Sequence, residues 1–90
     1  MRLAWQQIPS PLISEILCRG MDGVVIDTEH GCYNNETLYA CIQIIMASGK
    51  KCFVRLTEIN KTLIRICLDA GVTGLIFSTV ETVTQAQEIQ

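Results

Sequence analysis

Ninety residues, 49% of them hydrophobic and 18% charged, describe a globular chain with room for one small domain and exclude a disordered one. A formal net charge of -2, with no clustered run of lysine or arginine, leaves no electrostatic footprint for nucleic acid or for an anionic membrane. No apolar stretch approaches the roughly 20 residues that cross a bilayer, and Met1 to Ser10 lacks the apolar core of a secretory leader, so a cytoplasmic protein is expected.

The opening segment Leu3 to Ile8 reads as a weak first strand that stops at Pro9, Ser10 and Pro11. Ser10 suits an N-cap and Pro11 the first helical position, where its missing N–H costs nothing. Leu12, Ile13, Ile16 and Leu17 then give the helix an apolar stripe, and Gly20 supplies a left-handed stop. Gly23 to Asp27 is a second strand, a β-branched run that ends abruptly in charge. A second helix carries Leu38, Cys41, Ile42 and Ile45 at helical spacing and closes at Gly49, before two lysines expected to be exposed; Cys52 to Leu56 is the third strand. Asn60 caps a third helix whose buried face is expected to be Leu63, Ile64, Cys67 and Leu68, ended by Gly71, and Gly74 to Phe77 is the fourth strand. Ser78 with Glu81 makes a capping-box pattern that opens a helix through Val80, Val83 and Ala86.

Strand and helix signals alternate throughout, the rhythm of right-handed βαβ units and a parallel sheet. The fold class expected is therefore α/β: a parallel (β/α)4 half of a TIM (β/α)8 barrel, one partial domain over residues 1–90. A closed barrel takes about 250 residues, so here the sheet stays open unless another chain completes it. Open edges and a bare apolar face invite association, and a homo-oligomer is expected. The ending at Gln90, inside a helix, reads as truncation of a longer enzyme; a short natural product that pairs with something is the alternative. Five cysteines, an odd count with four in apolar patterns, read as reduced thiols, and the lack of CxxC beside a single histidine argues against structural zinc.

Chemistry points to GVVIDTEHG, residues 23–31, because loops after the carboxyl ends of parallel strands are where sites are built. His30 is suited to proton transfer near neutral pH, and Asp27 could hold its imidazole in one tautomer. A loop histidine bonded to nearby backbone is the competing account, as a solvated loop carboxylate is for Glu29. Arg55 ends an apolar run and, in a parallel sheet, emerges at the same rim as Asp27 and His30, where a guanidinium suits a carboxylate ligand. Cys32 and Tyr33 are read as loop packing, Glu81 as a helix cap and Trp5 as core.

Taken together, SPLISEIL, GMDGVVIDTEHG, FVRL, LDAG and VETVTQAQE resemble the N-terminal half of the HpcH/HpaI aldolase family, metal-dependent class II aldolases of 2-oxo acids that include the 4-hydroxy-2-oxoheptanedioate and 2-dehydro-3-deoxyglucarate aldolases. The resemblance covers nearly the whole chain. It implies a (β/α)8 barrel, a small-molecule 2-oxo acid substrate, and reversible cleavage of a 4-hydroxy-2-oxo acid to pyruvate and an aldehyde. By the same resemblance His30 is the acid/base, Asp27 its strand-end partner, Glu29 a carboxylate near metal-bound water, and Arg55 the group on the pyruvate or enolate oxygens. A divalent cation, Mg²⁺ or Mn²⁺ with Co²⁺ as a third candidate, would polarise the 2-oxo group. Its ligands in the family are a glutamate and an aspartate from later strands, so no metal ligand is assigned here and the 90 residues alone are expected to be inactive. The alternative is a non-catalytic remnant or oligomerising module of the same fold. Two positions depart from the family habit: Ser78 stands where proline precedes V-E-T, and Cys32 and Tyr33 stand where proline and a polar residue are commoner.

Overall fold

The computed structural model describes residues 1–28, 33–56 and 60–77. Within them β1 (Leu3–Gln6), α1 (Pro11–Cys18), β2 (Gly23–Asp27), α2 (Asn35–Ala47), β3 (Lys51–Leu56), α3 (Lys61–Ala70) and β4 (Gly74–Phe77) follow one another in strict alternation. All strand pairs are parallel and the order in the sheet is the order in the sequence, the α/β arrangement the alternation implied. The helix expected from Ser78 onward lies outside the described residues.

In a parallel sheet, residues paired across strands point to the same face, and the face changes with every step along the strand. One face carries Val24 beside Cys52 and Ile26 beside Val54, all fully buried beneath the helices. Leu38, Cys41, Ile42 and Ile45 of α2 complete that layer, each no more than 1% exposed. α2 thus sits as the apolar spacing of its sequence requires, and Asn34 caps it by accepting from the Thr37 amide at 2.7 Å. Asn60 does the same for α3 through Leu63, and Gly71 ends that helix at φ +88°, a left-handed conformation that glycine adopts without a Cβ penalty.

The outer helices differ from expectation. In α1 the buried positions are Ser14 and Cys18, while Leu12 and Ile16 are 64% and 47% exposed. The reason is a buried polar anchor: Gln6 faces the helix layer, its Oε1 accepts from Ser14 Oγ at 2.7 Å, and its amide donates to the carbonyls of Ile8 and Ser10. Small Ser14 therefore lies against the sheet, and the bulkier residues turn to a side where no described helix packs. Leu68 of α3 is likewise 61% exposed, and Ala70 takes the inward place expected of it. Ser10 is the N-cap residue by position, but its side chain makes no capping bond; Gln6 holds its carbonyl instead. The first strand ends at Gln6 and not at Ile8 for the same reason, since the backbone there is already drawn into the turn.

At the amino ends of the strands Asp22 laces three segments: its carboxylate accepts from the Arg2 amide at 2.6 Å, its own amide donates to Arg2, and its carbonyl accepts from Lys51. The Arg2 amide holds the Asp22 carboxyl below its usual range. Beside it β2 and β3 approach so closely that a Cβ on Gly23 would stand 2.5 Å from the Lys51 carbonyl oxygen. Cys18, Cys41, Cys52 and Cys67 are buried, unbridged thiols of the helix–sheet layer. Burial, with the neighbouring thiols adding to it, pushes Cys52 up to about 12; burial alone pushes Cys67 to about 11.

Two outcomes follow. Gly23→Val forces β2 and β3 apart and is expected to cost about 1–3 kcal/mol in denaturant unfolding. The raised thiols make the folded state bind protons that the unfolded chain has released, so their stabilisation is complete below the ordinary thiol value of 9.0 and is lost as pH rises toward 11 and 12. Unfolding midpoints measured from pH 8 upward should fall, and Cys52→Ala should flatten the decline.

Candidate functional site

β2 and β3 end side by side, with Asp27 paired in register with Arg55 on the face away from the helices. The Asp27 side chain is only 2% exposed, and a carboxylate so buried requires a charged or hydrogen-bonding partner. Arg55 provides one: its Nη1 donates to Asp27 Oδ2 at 3.2 Å, while the arginine side chain remains 23% exposed. The guanidinium also stands over the indole of Trp5, 5.8 Å from the ring centroid. Trp5 belongs to β1, so the arginine reaches across the whole width of β2. A carboxylate, a guanidinium and an aromatic face from three successive strands meet on one sheet face.

The backbone beneath them is fixed. Thr28, the first residue after β2, donates both its amide (3.2 Å) and its hydroxyl (2.6 Å) to the carbonyl of Arg55, using both lone pairs of that oxygen. Tyr33, on the far side of the loop, directs its hydroxyl at the carbonyls of Gln6 (3.1 Å) and Ile8 (3.2 Å). Burial, then the nearby Cys41 and Asp27, push the Tyr33 phenol well above its ordinary value, so it stays a proton donor and serves as a clasp. The loop leaving β2 is thereby held at one end to β3 and at the other to the turn after β1.

Of the residues proposed from sequence, Asp27 and Arg55 are brought together, whereas Glu29, His30, Cys32 and Glu81 lie outside the described residues. Trp5 is not core: at 54% exposure it lies on a face that no described element covers. Strand alternation puts Trp5 and Gln6 on opposite faces, and reading Gln6 as the buried one would have found it. Thr28 also escaped notice, since a hydroxyl that bonds a neighbouring strand leaves no periodic signal. Among the described residues no group of three His, Cys, Asp or Glu side chains could hold a metal ion. A carboxylate engaged with a guanidinium does not fit a divalent-cation site by itself.

Comparisons with known proteins identify the family. The sequence model of a family described as HpcH/HpaI aldolase/citrate lyase matches residues 6–90. The 2-keto-3-deoxy-L-rhamnonate aldolases of Klebsiella pneumoniae subsp. pneumoniae and Salmonella gallinarum are 33% and 31% identical to the chain over 86 residues, 94% of this chain and 32% of each enzyme. The chain thus spans about a third of the length of the curated relatives it matches. Among solved structures, the citrate synthase SbnG superposes with a TM-score of 0.88 at 35% identity, over 97% of this chain and 36% of that one. Macrophomate synthase follows with 0.84 at 29% identity, over 98% of this chain and 31% of that one. The four parallel strands and three helices described are the corresponding part of the TIM barrel that these neighbours share. With a family match running from Gln6 to Gln90 and a backbone that superposes on these neighbours, the chain belongs to the HpcH/HpaI aldolase/citrate lyase family.

Proposed function

We propose that the protein carrying this chain is a class II aldolase, a carbon–carbon lyase that cleaves a 4-hydroxy-2-oxo acid to pyruvate and an aldehyde. The observation that carries the reading is the Asp27–Arg55 pair at the carboxyl ends of adjacent parallel strands, inside the stretch that matches the family. A fixed guanidinium there binds the carboxylate of a 2-oxo acid and stabilises the negative charge that develops on the enolate oxygen as the carbon–carbon bond breaks. His30, three residues beyond Asp27, takes the 4-hydroxyl proton in cleavage and returns it in condensation. Asp27 has two duties, holding Arg55 in place and orienting His30, and Glu29 is assigned as a carboxylate near metal-bound water. The divalent cation of such aldolases would be held by carboxylates contributed from outside these residues. We further propose that residues 1–90 form one partial domain that assembles as a homo-oligomer in the cytoplasm.

In the intact enzyme His30→Ala is expected to lower kcat by about 10²–10⁴, since it removes the proton acceptor. Arg55→Lys keeps the charge but loses the planar fork, and should raise KM for the 2-oxo acid as well as slow turnover. Asp27→Asn should cost less than His30→Ala, because it disturbs orientation and leaves the base. Pyruvate release by the three variants decides the matter: near wild-type turnover in a folded His30→Ala enzyme rules out the mechanism. The 90-residue chain alone, supplied with Mg²⁺ or Mn²⁺, should release no detectable pyruvate, and robust release would place the cation site within it.

A further inference from the structure

We propose that Tyr33 is a positioning residue for His30, its hydroxyl pinning the downstream end of the short stretch of chain in which the histidine lies; this rests on the reading of His30 as the acid/base. A stretch of chain is set in place only when both its ends are held. Thr28 holds the upstream end, through its amide and hydroxyl on the Arg55 carbonyl of β3. Tyr33 holds the other end on the opposite side of β2, its hydroxyl 3.1 Å from the Gln6 carbonyl at the end of β1 and 3.2 Å from the Ile8 carbonyl in the turn beyond. The acceptor is itself fixed. The Ile8 carbonyl also accepts from the Ser10 amide and from Gln6 Nε2, both at 2.8 Å, and the Gln6 side chain is buried and held in turn by Ser14 Oγ. Tyr33 is therefore bonded to a turn built on buried side chains of β1 and α1.

The location of Tyr33 supports this role over a packing role. It immediately precedes Asn34, the cap of α2, the place from which a side chain sets the angle at which the chain enters a helix. Its ring packs against the helix–sheet layer, a contact that phenylalanine would make equally well. The hydroxyl adds direction, because a hydrogen bond constrains angle as well as distance. A bond from this oxygen to carbonyls needs the phenol proton, and burial, then Cys41 and Asp27, keep that proton in place. Tyr33 thus sets the reach of His30 before substrate arrives.

The test has a structural arm and a kinetic arm. In NMR spectra of the 90-residue chain, the Tyr33 hydroxyl proton should exchange with water slowly enough to be observed, whereas that of Tyr39, 44% exposed, should not. A fast-exchanging Tyr33 hydroxyl overturns the proposal without recourse to any variant. In the intact enzyme, Tyr33→Phe keeps the ring and loses the bond; kcat should fall about two- to tenfold, the worth of one hydrogen bond, while KM for the 2-oxo acid stays near wild type. In a His30→Ala background the same substitution should lower kcat no further, since an effect exerted through the histidine is lost with it. An equal loss in both backgrounds overturns the proposal. If His30→Ala loses turnover while Tyr33→Phe keeps it, the positioning role is overturned and the acid/base role of His30 stands. If His30→Ala turns over as the wild type does, both fall.

Discussion

A carboxylate that is almost wholly removed from water has to be compensated, and in this chain the compensation is set by strand register. Asp27 closes β2 on the face away from the helices, and the parallel pairing leaves Arg55 as its neighbour on β3. A slip of one residue would turn Arg55 into the helix layer and strand the carboxylate, at a cost of several kcal/mol for an uncompensated buried charge. The two bonds from Thr28 to the Arg55 carbonyl guard against such a slip at the point where it would matter. Ion pair, latch and aromatic support are consequences of one alignment.

The sheet divides its labour between its faces. Towards the helices it offers Val24, Ile26, Cys52 and Val54 to the apolar stripe of α2, and there Cys52 and Cys67 serve as small hydrophobes whose raised pKa values keep them protonated and inert. Towards the other side it offers Trp5, Asp27 and Arg55, groups that bind charge. Gln6 is the exception to this division, a polar side chain in the apolar layer, and it is tolerated because its amide and carbonyl both find partners.

Sequence was most informative where an element has neighbours on both sides. The stripe of α2 and the apolar strand β2 could be read closely, because propensity and burial agree there, and the cap at Asn60 and the stop at Gly71 are local signals that hold whatever packs outside them. Leu12, Ile16 and Leu68 misled, since periodicity identifies a helix face without saying whether anything packs against it. The site divides in the same way. Asp27 and Arg55 are foreshadowed by charge at the ends of apolar runs, a local pattern, whereas the place of Trp5 depends on which face of β1 is covered, and that is a property of the whole sheet.

Because the strands stand in the sheet in the order in which they are translated, each βα unit finds its dock already built by the one before it. No strand has to wait for a distant partner, so loop-closure entropy is met in modest instalments and the chain can condense from its amino end while still being synthesised. A nascent chain of this kind exposes the standing edge of β1 and one moving edge, that of the strand most recently added. The order of the strands thus bears on how safely the protein is made as well as on where its ion pair comes to rest.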